Sequence, residues 1–447
     1  MKIDETIFKA YDIRGIYPSQ VNEEGFYKIA QAYAKLVNPK TVALGRDVRL
    51  SGEKLMDAVK RGLIDHGVNV VDIGVITTDM FYFASAAYDF DGALTITASH
   101  NPREYNGMKL VRKGAVPISV DTGINEIAEM VNSDYQYISP VPGKFETKDI
   151  LNDYLKKCLN FVDVSKIDHF KVVANAMFGK SVQNLMKLEL PIDIVPLNEI
   201  PDGTFPKGAP DPFLAENRAE TEQKIREVKA DIGVAWDGDA DRIFIWDENG
   251  RFIPGYFLTA FLANYFCKNN PGAKIIHDPR DSWAIIDTVK TAGGIPLLNK
   301  VGHSFIKERM RKEDALFAGE SSGHYYFRDY YYADNGLIPF LLFLQLKSEL
   351  KQKVSEIFDP YFNKYFISGE INIELPSKEL AEPILRSIEN SYLDAKKDYT
   401  DGVSIEYSDW RANIRTSNTQ PLIRLNVEAK SDELMKQKTA EILKLIK

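Results

Sequence analysis

Two cysteines in 447 residues are too few and too far apart for a disulfide scaffold or a thiolate metal site. Cys158 and Cys267 each fall in helix-like segments and read as buried thiols. Runs of one charge are also missing: Lys+Arg 56 against Asp+Glu 64 leaves a net −8, which excludes a broad basic face for nucleic acid. The longest strongly apolar stretch, Leu337 to Leu346, is too short to span a bilayer and reads as a buried helix. Met1 to Gly15 mixes Lys2, Asp4, Glu5, Lys9 and Arg14 with isolated apolar residues, leaving no room for the core of a signal peptide. These absences lead us to expect a cytoplasmic protein with neither a nucleic-acid nor a membrane partner. At 44% hydrophobic and 27% charged residues the chain can bury cores, and its length suggests about three domains, or four smaller ones.

One supersecondary pattern occurs three times. Thr41-Val-Ala-Leu-Gly45, a helix over Ser51 to His66 and Val68-Asn-Val-Val-Asp-Ile73 form the first copy. The second runs Lys171-Val-Val-Ala-Asn175, a helix from about Lys180, then Ile192-Asp-Ile-Val-Pro-Leu197. Lys274-Ile-Ile-His-Asp278, a helix over Ser282 to Ala292 and Ile295-Pro-Leu-Leu298 form the third. Short apolar runs alternating with helices predict buried parallel strands, so each copy is a βαβ unit. From about Tyr365 the strands alternate apolar with polar, as in Ile371-Asn-Ile-Glu-Leu375, Val403-Ser-Ile-Glu-Tyr407 and Leu422-Ile-Arg-Leu-Asn-Val427, which predicts a half-exposed antiparallel sheet. The expected fold is therefore three related α/β domains with mixed, mostly parallel sheets (1–147, 148–247, 248–363) and a C-terminal α+β domain (364–447).

Four polar loops carry the chemistry. Thr97-Ala-Ser-His-Asn-Pro102 follows the apolar segment Ala93-Leu-Thr-Ile96, which puts Ser99 where α/β sheets place ligands and makes it a candidate for a covalent intermediate. Asp237-Gly-Asp-Ala-Asp-Arg242 sets three carboxylates at alternate positions, where they repel unless a cation gathers them; hard oxygen donors suit Mg²⁺. An EF-hand is excluded, because its sixth position is Arg242 rather than Gly and strands flank the loop. Gly319-Glu-Ser-Ser-Gly-His324, with Gly302-His303 before it, alternates donors and acceptors as a hydroxylated ligand requires. Arg415-Thr-Ser-Asn-Thr-Gln-Pro421 offers a cradle for a phosphate. Taken singly, the serine and Arg415 loops are equally compatible with an ordinary polar turn, and the Gly319 to His324 loop reads more simply as one. Together they describe a cleft to which every domain contributes one loop. Of six histidines, His100, His303 and His324 fall in these loops, while His66, His169 and His277 read as structural.

On these loops, and on Phe8-Lys-Ala-Tyr-Asp-Ile-Arg-Gly15 and Tyr105-Asn-Gly-Met-Lys109, the chain resembles the α-D-phosphohexomutase family, most closely its bacterial phosphomannomutase and bispecific phosphomannomutase/phosphoglucomutase branch. The resemblance runs over essentially the whole chain. It implies four domains around a deep cleft, with Ser99 as the phosphoserine and Asp237, Asp239 and Asp241 holding Mg²⁺ together with the seryl phosphate. Arg14, His100, Lys109 and Arg242 match the basic residues around the transferring phosphoryl group. Tyr11, Arg280, His303, Glu320, Ser321, Ser322, Gly323 and His324 match the sugar side, and Arg415, Thr416, Ser417, Asn418 and Thr419 the loop gripping the other phosphate.

The implied reaction interconverts mannose 6-phosphate and mannose 1-phosphate, the step feeding GDP-mannose, through a hexose 1,6-bisphosphate that is both intermediate and activator. Glucose or glucosamine phosphates as main substrates stay open, as does a metal-dependent sugar phosphatase. Whether Lys109 or a nearby histidine takes the hydroxyl proton is also open, and the oligomeric state is set no closer than monomer or weak homodimer. Three departures stand out: Ser321 where relatives often carry Met or Gln, Arg280 where some have Lys, and Ala240 in place of a frequent Gly.

Overall fold

The computed structural model describes residues 3–416 and 421–446 and divides into two compact units, residues 1–253 with 323–354, and residues 254–322 with 355–447. In the first unit, strand Thr41–Arg46 lies parallel to both Asn69–Val75 and Gly92–Ile96. The other side of that sheet is antiparallel: Gly92–Ile96 pairs with Tyr105–Arg112, which pairs with Ile13–Ile16. The sheet is thus mixed. Its parallel half comes from the βαβ repeat and its antiparallel half from the turn that Asn101 and Pro102 introduce after Ser99.

The helix Glu23–Val37 shows why these segments fold locally as they do. Asn22 caps its first turn by accepting from Gly25 N at 2.9 Å, Glu23 and Glu24 favour the dipole there, and Asn38 ends it in the left-handed conformation with φ 51°. Phe26, Ile29, Ala30 and Tyr33 recur at helical spacing and pack into the sheet core.

The second repeat forms the parallel trio Ile192–Leu197, Phe170–Asn175 and Ile232–Trp236, extended by the antiparallel strands Ile243–Trp246 and Phe252–Ile253. Its helix starts where expected but is only five residues long, Ser181–Leu185. The apolar segment from Leu337 becomes the helix Ile338–Leu350, buried along its length up to Ser348. Among the described residues no helix is long and apolar enough to cross a membrane.

In the second unit, Lys274–His277 pairs in parallel with Ile295–Leu298 and with Phe317–Gly319, which is the third repeat. The C-terminal segment forms an antiparallel sheet centred on Trp410–Thr416 and Leu422–Ala429. Alternation holds: Trp410, Ala412, Ile414, Ile423, Leu425 and Val427 face the helices Ala381–Ser391 and Asp432–Ile446. The opposite face is solvated at its edge strand Ile371–Glu374, where Asn372 and Glu374 are exposed as expected, but it is covered around Arg411 and Glu428. Arg411 donates to Pro279 O and Arg280 O at 2.7 and 3.0 Å. Glu428 accepts from Ser282 N and Trp283 N at 3.1 and 3.2 Å, at the N-terminus of the helix Trp283–Thr291. A carboxylate there meets unpaired N–H groups and the positive end of the dipole, so the polar stripe of one domain is paired against the next.

Candidate active site

Three of the polar loops, those of Ser99, Asp237 and Glu320, begin where parallel-paired strands end, as in other open α/β sheets. Ser99 follows Gly92–Ile96 and has φ 50°, a left-handed conformation uncommon outside glycine. Its Oγ donates to Asp237 Oδ2 at 2.9 Å and lies 3.1 Å from His100 Nδ1, while its N–H donates to Thr97 Oγ1 at 2.9 Å. The acidic loop follows Ile232–Trp236 and reaches this serine because residue 238 is glycine. A Cβ there would stand 2.8 Å from Ser99 O and 2.7 Å from Pro210 Cγ. Ala240 has φ 61°, which explains why glycine is frequent at that position: alanine pays a left-handed penalty of about 1 kcal/mol.

Asp237, Asp239 and Asp241 are all buried, and each offers an oxygen within 4.8 Å of the others'. Lys109, on Tyr105–Arg112, places Nζ 2.9 Å from Asp239 Oδ2 and 2.5 Å from Asp241 Oδ2. Burial works against its charge, but Asp239 and Asp241 outweigh burial and hold the ammonium protonated well above the usual lysine range. Burial likewise opposes ionisation of Asp241, and Lys109 and His324 more than offset it. Asp237 is left as the crowded acid, pushed well above the usual carboxylate range by burial and then by its two neighbours. Asp239 Oδ1 is buried without a hydrogen-bond partner among the described residues. An uncompensated oxygen among three clustered carboxylates fits a hard divalent cation such as Mg²⁺.

The remaining groups of this unit surround that cluster. Arg14, on Ile13–Ile16, donates to Asn101 Oδ1 at 2.6 Å and pairs with Asp12. Arg242 donates its N–H to Asp237 Oδ1 at 3.2 Å and its Nε to His324 Nε2 at 3.2 Å. Burial, then Arg242 and Arg14, push the His100 imidazole well below its ordinary range, so it is neutral at pH 7. Gly323 has φ 87°, and a Cβ there would strike the Phe244 ring at 2.7 Å. Tyr11 lies half-buried in the bend before the strand that carries Arg14.

The second unit holds the other set. Arg280 donates to Asp278 Oδ2 at 2.7 Å and Ser322 Oγ at 3.3 Å, with Glu320 Oε1 at 3.7 Å. Glu320 accepts from Gly302 N at 3.2 Å, and Ser321 N donates to Asp278 Oδ2 at 2.8 Å. His303 opens the helix His303–Glu313 and is buried. Arg415 and Thr416 end the strand Trp410–Thr416, whereas Ser417, Asn418 and Thr419 lie outside the described residues. Arg415 pairs with Glu370, whose carboxylate also stands 3.8 Å from both Arg280 and Arg424. Burial opposes the charge of Glu370, and the guanidiniums, Arg415 foremost, hold its carboxyl below the usual range.

Three participants escaped the sequence reading. Thr78 donates Oγ1 to Asp239 Oδ2 at 2.5 Å and its N–H to Asp239 O at 2.8 Å. Asp278 organises Arg280 and Ser321, and its place at the end of a repeat strand was a usable signal. Glu370 lies 45 residues before its partner Arg415, and no local pattern joins them.

Comparison with known proteins gives one family throughout. The phosphoglucomutase/phosphomannomutase models match in order: α/β/α domain I at residues 5–138, domain II at 152–250, domain III at 254–365 and the C-terminal domain at 370–445. A phosphomannomutase of Vibrio cholerae is 43% identical over 458 aligned residues, covering 99% of this chain and 98% of that protein. One from Escherichia coli is 42% identical, covering 99% of each. The crystal structure of a phosphoglucomutase/phosphomannomutase family protein from Burkholderia thailandensis superimposes with TM-score 0.89 at 29% identity, covering 99% of this chain and 97% of that one.

Proposed function

The chain belongs to the phosphoglucomutase/phosphomannomutase family, and from that premise we propose that it interconverts mannose 6-phosphate and mannose 1-phosphate, and acts on glucose phosphates too. It is a mutase, an isomerase that moves a phosphoryl group. The observation that carries the mechanism is the hydroxyl of Ser99 at 2.9 Å from Asp237, at the edge of three buried carboxylates.

In the first half-reaction the sugar hydroxyl oxygen forms a bond to the phosphorus of phospho-Ser99 as the bond from phosphorus to Oγ breaks, giving a hexose 1,6-bisphosphate and free Ser99. The hydroxyl loses one proton and Oγ gains one. The bisphosphate then presents its other phosphate, and the same steps run in reverse. Such a transfer needs positioned charge more than strong acids or bases.

Asp237, Asp239 and Asp241 with the seryl phosphate would hold Mg²⁺, which when bound neutralises charge on the transferring oxygens. Arg14 and Arg242 supply cations beside Ser99. Lys109 is held charged by two aspartates, so it acts as a cation and hydrogen-bond donor, not as a base. A histidine is therefore the better proton carrier: neutral His100, 3.1 Å from Oγ, can take a proton at one ring nitrogen and release one from the other. Arg280, Glu320 and Ser322 bind sugar hydroxyls, and Arg415 with the loop after it grips the phosphate at rest.

The test measures kcat/KM for mannose, glucose and glucosamine phosphates with a trace of hexose 1,6-bisphosphate, following both isomer formation and free phosphate. Isomerisation of the mannose phosphates with no net phosphate release is expected. Stoichiometric phosphate release would make the protein a phosphatase, and a higher kcat/KM for glucose or glucosamine phosphate would reassign the substrate.

A further inference from the structure

The loop that carries Ser99 makes few conventional hydrogen bonds of its own, and its carbonyls turn inward onto one side chain. Arg49, in the turn after strand Thr41–Arg46, is 1% exposed. Its Nη2 donates to Ser99 O at 2.8 Å and Asn101 O at 2.6 Å. Nη1 donates to Pro102 O at 2.7 Å and Tyr105 O at 2.9 Å. The fifth donor, Nε, goes to Asp47 Oδ2 at 3.2 Å, and Asp47 Oδ1 accepts from Arg49 N at 2.9 Å. All five donors of one guanidinium are thus engaged, four of them on a single loop. The Phe205 ring covers the group with its centroid 5.0 Å away, and residue 203 is glycine because a Cβ there would lie 2.9 Å from Arg49 Cα.

We propose that Arg49 is a positioning residue for phosphoryl transfer, holding the Ser99 loop in its left-handed conformation so that Oγ stays aimed at the acidic loop. The inference rests on reading Ser99 as the phosphoryl carrier. A fork of five coplanar donors is what the task needs: four carbonyls from residues 99 to 105 converge on one plane, and each would be costly to leave unpaired away from water. Lysine, with three donors on one tetrahedral nitrogen, cannot span them. Arg49 touches neither Oγ nor the carboxylates of the acidic loop, so its contribution is to geometry.

The experiment compares the parent with Arg49→Lys and with Asp47→Asn, which weakens the carboxylate's hold on Arg49 while leaving the four bonds from Nη1 and Nη2 to the loop carbonyls. Each is incubated with glucose 1,6-bisphosphate, and Ser99 phosphorylation is followed by peptide mass spectrometry alongside steady-state kinetics and amide hydrogen exchange. Arg49→Lys is expected to phosphorylate Ser99 and turn over about 10 to 100 times more slowly, since small misplacements of reacting groups cost that much. KM should stay within about threefold and exchange should quicken only around residues 97–107. Asp47→Asn should give the same pattern, weaker. Arg49→Lys phosphorylating at the parental rate would overturn the proposal, as would slow transfer with faster exchange throughout the unit. If Arg49→Lys does not fold, Asp47→Asn decides by the same readouts. A parent that never acquires phosphate on Ser99 removes the underlying reading, and the proposal with it.

Discussion

Around Ser99, Asp237, Asp239 and Asp241 meet Lys109 and Arg242; around Arg415, Glu370 meets Arg280, Arg415 and Arg424. The first group carries more acid than cation; in the second Arg280 also has Asp278 and Glu320, so the excess of cation is confined to the Arg415 end, where Arg415 and Arg424 share Glu370. A surplus of buried carboxylate is tolerable when a divalent ion arrives, and a surplus of guanidinium when a phosphate does. Each region is thus a nearly balanced cluster lacking one partner, and the sign of the imbalance names the partner. Glu370 makes the second cluster tolerable without a ligand, and Lys109 does the same for the first.

The largest expected effects break the acidic side. Ser99→Ala should lower kcat about a thousandfold or more, since the loop's other hydroxyl, Thr97 Oγ1, is engaged by Ser99 N and Asp239 Oδ2. Asp239→Asn should cost about 100-fold and abolish the response to added Mg²⁺, because it removes a carboxylate whose Oδ1 is buried without a hydrogen-bond partner among the described residues, while leaving its shape. The check is turnover against Mg²⁺ concentration after EDTA treatment. A parent enzyme equally active in EDTA would mean that the acidic surplus has another explanation.

On the basic side the effects are smaller and of opposite sign. Arg415→Ala should raise KM for a hexose phosphate about 10 to 100-fold, the loss of a charged hydrogen bond or two, with phosphorylation of Ser99 by bisphosphate still detectable. Glu370→Gln should instead tighten binding of inorganic phosphate about threefold to tenfold, since the anion no longer competes with a resident carboxylate. Calorimetric titration with phosphate distinguishes the two. Weaker binding in Glu370→Gln would show that the carboxylate orients Arg415 more than it competes for it.

The acidic side was far more legible in the sequence than the basic side, for a physical reason. Asp237, Asp239 and Asp241 sit within five residues, and Ser99 follows an apolar strand, so local spacing marked the acidic loop as a candidate cation site and Ser99 as a candidate nucleophile. The three βαβ repeats were equally plain, because strands buried on both faces need unbroken apolar runs. Glu370 and Thr78 were invisible: their roles depend on partners 45 and 161 residues away. The covered polar face of the C-terminal sheet misled in the same way. Arg411 and Glu428 alternate with apolar residues as solvent-facing groups would, and only tertiary pairing with residues 279 to 283 removes them from water.

Asp79 gives the comparison its third case, a buried carboxylate whose bonds come from no cation. It accepts from Thr77 Oγ1, from Tyr154 Oη at 2.6 Å, Met80 N at 2.9 Å and Gly336 N at 3.4 Å. Burial pushes its carboxyl from 3.8 to about 7, and those donors offset only part of the rise. Since the folded value lies above the unfolded one, the folded state binds the extra proton between pH 3.8 and about 7. Stability should therefore fall as pH rises through that window and level off above it, by about 4 kcal/mol at most for a shift of about three units. Asp79→Asn has nothing to ionise, and its amide can still accept from Thr77 and Met80. In urea unfolding at pH 5 and pH 8, the variant should lose less stability than the parent on going to the higher pH, because at pH 8 the parent alone carries an uncompensated buried charge. Parallel pH profiles would mean that the four neutral donors solvate the Asp79 carboxylate as well as Lys109 and Arg415 serve the acids beside them, and that a cation is not what separates the tolerated buried acids from the costly one.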